Sequence, residues 1–279
     1  MIKRVMVFGY QKERVSKMKV VYGHTDSIFV QINDVEKAQE ICDKIDKHMK
    51  TVFPNVMGLE EHPVKLEFEK FYSTLGVGAS KNRNAGFITW KDGEWLEEEQ
   101  FIVTGFSMKR ISESPMSKKF QSDLLKKWAS GDTEHDIVSF CREQYNNVKK
   151  GRISLDEVIK RGRLHNDLNN YKSIAGGIAG VCYYNQHINP ENPITDSFVY
   201  FKCANIDGPQ YIILPSGRER RAVFVAFREK KEITAKYHPH WGAYAEDIIK
   251  KATPIFLAMG WEIKNVMLDE SQKTLGEWF

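Results

Sequence analysis

The sequence predicts an α+β protein: an antiparallel sheet with packed helices over residues 1–108, then a mostly helical region with some strands over 109–279. Three observations carry this. Segments 19–32, 65–72 and 85–106 have strand patterning. From residue 109 apolar side chains instead recur at steps of three and four. Strand-like runs return over 196–227.

Taken in order, VVYGHTDSIFV (20–30) reads as two β-rich arms, Val20–Tyr22 and Ser27–Val30, around a turn holding His24, Thr25 and Asp26. In the second arm Ile28, Val30 and Ile32 alternate with Phe29 and Gln31. A helix follows, with Asn33 and Glu36 spaced as a capping box and Val35, Ala38, Ile41, Ile45 and Met49 as its apolar face. KLEFEKFY (65–72) alternates as a strand, and 85–106 reads as two strands around an Asp92–Gly93 turn. Only about three strands accompany the first hairpin, so this sheet is expected to leave edges and a face for something else to complete.

Beyond residue 109, Met116, Phe120, Leu124 and Trp128 step by four, and Ile137, Phe140, Cys141 and Val148 line a second helix. Ser154 and Glu157 are spaced to cap a third. SFVYFKCA, QYIILP and RAVFVAF are the returning strands. A last helix is expected over about 243–259, kinked or split by Pro254, with Trp241 as a core residue.

Composition narrows the function classes. At 28% charged residues and a net charge of +4, the chain is neither disordered in composition nor basic enough overall to announce nucleic acid. The charge is clustered, however. Segments 109–127, 149–163 and 218–231 each carry six basic and two acidic residues, which suits either solvated faces or a polyanion-facing surface. No apolar run approaches the roughly 18–20 residues of a membrane span, and the first residues lack a signal-peptide core. Cys42, Cys141, Cys182 and Cys203 form no CxxC pair, so a zinc site or disulfide framework is not expected and a cytoplasmic location is.

Several segments, in order along the chain, then point to a family. YGHTDSIFV resembles motif C of the family B DNA polymerases, usually Tyr-Gly-Asp-Thr-Asp-Ser followed by an apolar strand. KLEFEKFY is similar to a downstream palm strand of the archaeal members, and KNRNAGF sits where the family has a Lys-Lys-Arg/Lys-Tyr element. VTGFSMKR matches a Gly-containing turn with a basic pair. DLNNYKSIAGGIAGV looks like the thumb's Asp-Leu-x-x-Tyr-Lys segment, and LAMGWEIKNVMLDESQKTLGEWF resembles the thumb's end. The resemblance implies the second half of a palm domain over 1–108 and a thumb over 109–279. The family's exonuclease domain, motif A and fingers all lie upstream of motif C, and this chain begins about twenty residues before it. The implied arrangement is the small subunit of a split polymerase, whose large subunit brings those parts and with which it binds primer–template DNA and dNTP.

Nucleotide addition uses two divalent ions, Mg²⁺ or Mn²⁺, which take hard oxygen ligands. By the resemblance Asp26 is a metal ligand shared with the partner's motif A acid; by its local sequence alone it is an Asx-turn residue. His24 replaces the family's first motif C acid. Imidazole is a poor Mg²⁺ ligand, so either the site tolerates the change or the chain is a degenerate, non-catalytic DNA-binding or scaffolding subunit. Glu67 matches an acid near the cleft, or is one polar face of its strand. Lys81 and Arg83 match the element at the primer end, from which Asn82 and Asn84 depart. Lys109 and Arg110 match a basic turn near the primer backbone, and Tyr171 and Lys172 match thumb residues approaching the duplex. Gly176 and Gly177 would let a backbone approach phosphates closely.

Overall fold

The chain folds into two units, one holding residues 1–106, 125–133 and 257–259, the other 107–124, 134–256 and 260–279. The structure is a computed structural model that describes residues 2–9, 19–23, 27–78 and 82–268, with residues 2–9 and Lys109 described by their backbone alone.

The first unit is built on β1 (Ile2–Gly9), β2 (Lys19–Gly23), β3 (Ser27–Gln31), α1 (Val35–Val52), β4 (Val64–Val77), β5 (Asn84–Lys91) and β6 (Glu94–Thr104). Its six strands lie in the order β2-β3-β1-β4-β5-β6. The pairs β2–β3, β4–β5 and β5–β6 are antiparallel, as short hairpin connections require. β1, which the alternation pattern does not reveal, runs parallel to both β3 and β4. The sheet is therefore mixed, with β1 between β3 and β4.

The unit β3–α1–β4 is a βαβ crossover split by one strand. Its helix buries Val35, Ala38 and Cys42, with Ile41 and Ile45 partly buried, against Val30, Leu66, Phe68, Phe71 and Trp90. Phe68 and Trp90 stack at 4.1 Å, a pairing worth about 0.5–1.5 kcal/mol beyond its area. A second, smaller cluster of Phe29, Tyr72 and Ile88 forms separately. Phe29 and Val30 are neighbours in one strand and so point to opposite faces. Phe71 and Tyr72 are likewise neighbours on β4, each buried in a different one of these clusters. The helix cap differs from expectation: Asp34, not Asn33, is the N-cap, accepting a bond from the Lys37 N–H at 3.0 Å.

The second unit adds α2 (Pro115–Ala129), whose sequence is divided between the units at Leu124 and Leu125, then α3 (Glu134–Lys149), β7 (Lys160–Arg163), α4 (Gly176–Tyr183) and β8 (Ser197–Ile206). β9 (Tyr211–Ile213), β10 (Glu219–Arg221), β11 (Phe224–Phe227), β12 (Tyr237–Pro239) and α5 (Trp241–Met259) complete it. The long β8 organises the unit: β7 and β11 pair with its first part and β12 with its end, all antiparallel. The predicted third helix is only a 3-10 turn, Leu155–Glu157. The Glu157 carboxylate does accept from the Ser154 N–H at 3.1 Å, but the chain leaves the turn to pair as β7. Pro254 sits inside α5 without splitting it, and the Thr253 hydroxyl bonds the Ile249 carbonyl at 2.7 Å. Trp241 packs over Gly151, where a Cβ would come within 2.8 Å of its ring.

All four cysteines are buried. Burial pushes the thiols of Cys42, Cys141 and Cys203 up to about 12, which keeps them protonated and unreactive.

Candidate functional site

Of the residues singled out above, His24, Asp26 and Lys81 lie outside the described residues, and the side chain of Lys109 does too. The others can be placed. In the first unit three of the sequence segments meet at one residue, Asn82. The Tyr22 hydroxyl, from the arm before the His24–Asp26 turn, accepts a bond from the Asn82 N–H at 2.9 Å and donates to its Oδ1 at 3.1 Å. Gly105, from VTGFSMKR, lies so close that a Cβ there would be 1.8 Å from the Asn82 carbonyl oxygen.

The local backbone explains why these residue types occur here. Asn82 has φ +61°, a left-handed conformation that asparagine tolerates better than most residues. Gly105 has φ +75° and no room for a side chain. The loop is closed by the Gly78 N–H donating to the Arg83 carbonyl at 2.7 Å. The half-buried Arg83 holds its guanidinium 5.9 Å from the centre of the Phe106 ring. Asn84 is buried at the start of β5, opposite Val77 and Thr104. The two asparagines that depart from the family's element thus have structural tasks: Asn82 is the hub and Asn84 starts the strand.

Glu67 lies on β4, half-buried, with its carboxylate 2.8 Å from the Lys65 ammonium. Backbone register places one strand between it and the start of β3: Val5 of β1 is opposite both Ser27 and Glu67. Two strand spacings, about 9–10 Å, therefore separate Glu67 from the residue that follows Asp26. Among the described residues no three His, Cys, Asp or Glu side chains gather into a potential metal site. The described residues alone do not fit a divalent ion.

In the second unit the segment 164–177 is heavily pinned. The Asp167 carboxylate accepts from the Asn169 N–H at 3.0 Å, and the Tyr171 hydroxyl accepts from the His165 N–H at 2.8 Å. Arg220 donates to the Ile174 carbonyl at 2.6 Å. Lys172 and Arg110 are exposed. Gly176 has φ +54° and open space around it, so its glycine answers to backbone conformation. Gly177 is buried, and a Cβ there would come within 2.7–2.9 Å of the Phe198 and Tyr200 rings; its glycine serves helix-on-sheet packing.

A cavity of about 980 Å³ borders this segment, with Asn185, Gln186 and His187 on its wall. Their side chains are engaged by the backbone of Ile194, Ile213 and Tyr211, which makes them structural. Much of the 218–231 charge is engaged too. Arg228 donates to the carbonyls of Asn192 and Pro193, Lys230 pairs with Asp156, and Lys231 pairs with Glu229. The hub role of Asn82 was not evident from the sequence; the signal available was an asparagine in a turn, a residue type enriched at positive φ.

Comparison with known proteins bears on most of the chain. A family model described as DNA polymerase family B matches residues 2–257. The DNA polymerase of Archaeoglobus fulgidus is 27% identical over 141 residues, which is 50% of this chain and 16% of that protein. The DNA polymerase zeta catalytic subunit of Drosophila melanogaster is 27% identical over 163 residues, 57% of this chain and 7% of that one. The solved family B DNA polymerase from the hyperthermophilic archaeon Pyrobaculum calidifontis shares the fold at a TM-score of 0.55 and 17% identity, over 86% of this chain and 26% of that one. The matched regions thus span only a small part of each relative's length.

Proposed function

The chain belongs to DNA polymerase family B, and we propose that it is the small subunit of a split DNA-directed DNA polymerase. Residues 1–108 are half a palm, and residues 109–279 are the thumb. A large subunit supplies the exonuclease domain, the motif A strand and the fingers. The observation that carries the reading is the meeting of three family-like segments at Asn82, through Tyr22 and Gly105. Contact between segments that lie far apart in sequence supports their belonging to one site.

In this reading Asp26 would give one carboxylate to a divalent-ion site completed by the large subunit, and an ion held there would supply Lewis-acid chemistry for nucleotidyl transfer. Lys81 and Arg83 hold the primer end, Lys109 and Arg110 its backbone, and Tyr171, Lys172 and Gly176 face the duplex. The exposed Val20, Val21 and Ile28 on β2 and β3 suit coverage by a partner chain. No described helix is long and apolar enough to cross a membrane.

His24 favours one competing reading, a degenerate subunit that binds DNA without catalysing. One experiment separates them: primer extension with Mg²⁺ or Mn²⁺ by the pure 279-residue chain and by the complex with its larger polymerase chain. Extension is expected only from the complex, abolished by Asp26→Ala with duplex binding retained and preserved by His24→Asp. An inert complex that still binds duplex establishes the degenerate reading. Robust extension by the pure chain, lost in Asp26→Ala, overturns the split arrangement.

A further inference from the structure

A second cavity, about 330 Å³, opens over the sheet of the second unit. Lys160, Lys202 and Lys250 line it, with Gly176, Tyr200 and Tyr244. Register explains the convergence. Lys160 on β7 is directly opposite Tyr200 on β8, and Lys202 lies two residues beyond Tyr200 on the same face. Both lysines therefore flank one tyrosine. This is the face on which α4 packs, because the Cβ absent from Gly177 would touch the Tyr200 ring at 2.9 Å. The first residue of α4, Gly176, lines the cavity, with open space where a Cβ would stand.

The site is held rigidly. The Lys202 N–H donates to the Tyr244 hydroxyl at 2.6 Å, and its carbonyl accepts from the His240 N–H at 2.9 Å. Two nearby carboxylates are ion-paired with other lysines, although Glu113 also feels the Lys160 charge. Asp247, on the cavity wall, is 3.4 Å from Lys250, and Glu113 is 2.7 Å from Lys251. Among the described residues neither Lys160 nor Lys202 has a carboxylate within ion-pairing distance. Two half-buried lysines on one face of the sheet thus flank Tyr200, and two cations beside a hydroxyl suit a tetrahedral anion.

We propose that this cavity seats a single phosphodiester of the nucleic-acid backbone, with Lys160 and Lys202 as its charged contacts and the Tyr200 hydroxyl as a neutral donor. The proposal rests on the duplex-binding part of the functional reading and extends it to residues that none of the family-like segments contains. A phosphate contact carries no base information, so its signature is a salt slope.

The test measures binding of a labelled primer–template duplex to the full chain at several salt concentrations. Lys160→Ala and Lys202→Ala are each expected to flatten the slope of log K against log salt by about one, and the double variant by about two. Lys160→Arg with Lys202→Arg should restore the slope, and Lys264→Ala, outside the cavity, should leave it unchanged. Lys→Gln versions serve if an alanine variant melts early. Duplexes in which one phosphate at a time is replaced by a neutral methylphosphonate locate the contact: one position should weaken wild type but not the double variant. A folded double variant with the wild-type slope overturns the proposal while the duplex-binding reading stands. Wild-type chain with no salt-dependent binding overturns both.

Discussion

The turn around Asn82 and the cavity over Tyr200 both hold polar side chains still, but they are assembled differently. At Asn82 the backbone is the working part: a left-handed asparagine, a glycine with no space for a Cβ, and a phenol that bonds one residue twice. At Tyr200 the working part is strand register, which lines up Lys160, Tyr200 and Lys202 from two strands, with α4 and α5 forming the wall. The first arrangement depends on a few residues whose identity cannot change. The second depends on pairing, and any long cation at the right register position serves. Substitutions at the hub should therefore cost stability, while substitutions at the cavity should cost binding.

The largest effect expected from this contrast is at Gly105. An alanine Cβ would sit 1.8 Å from the Asn82 carbonyl oxygen, and φ +75° disfavours any side chain. Neither strand end can move aside cheaply, so Gly105→Ala should cost about 3 kcal/mol or more. Urea denaturation checks this. A midpoint near wild type would mean the hub is pliant. Gly176→Ala is the matching change at the cavity, with φ +54° but open space, and should cost only about 1 kcal/mol.

A smaller effect is expected at Tyr22. Tyr22→Phe removes both bonds to Asn82 while keeping the edge-on contact of its ring with Phe29 at 5.4 Å. Both bonds are exposed, so the cost should be about 1–2 kcal/mol, and hydrogen exchange at the Asn82 amide should accelerate. Unchanged exchange at that amide would remove Tyr22 from the hub. Asn82→Ala should cost slightly more, since it also places alanine at φ +61°.

The two regions also differ in how much of them can be read from sequence. The hairpin arms, KLEFEKFY and the Asp92–Gly93 turn announce β2 to β6 because each alternates or carries a turn signal. β1 does not alternate: Val5, Met6, Val7 and Phe8 form an unbroken apolar run, ambiguous between helix and strand, and its partners are parallel and distant. Ser154 and Glu157 are spaced as a helix cap, yet pairing with β8 overrides that local preference. The segments meeting at Asn82 were legible as segments, but not the contact that joins them. Lys160 was legible only as one of the basic residues of 149–163 and Lys202 not at all, because nothing local marks the pairing that brings the two together.

The smallest expected effect separates a structural charge next to the cavity from the cavity's own lysines. Glu113 accepts from Lys251 at 2.7 Å and from the Ser117 hydroxyl at 3.2 Å, and Lys251 also donates to Ser107. Burial pushes the Glu113 carboxyl up, but the Lys251 bond and charge, with Lys160 and Ser117, more than reverse this and leave it below the ordinary 4.5. A carboxyl lowered on folding stabilises fully above its unfolded value, and that contribution is lost as pH falls through the folded value. Glu113→Gln should therefore cost about 1 kcal/mol at neutral pH, the worth of a charged hydrogen bond that is only partly buried. The gap to wild type should shrink as pH drops below 4.5. Urea denaturation of both proteins from neutral pH down to pH of about 3 reads the gap directly. A gap that stays constant across that range would mean Glu113 acts by shape alone. The salt slope of duplex binding should be unaltered in Glu113→Gln, because removing this carboxylate frees Lys251 without taking a cation from the cavity.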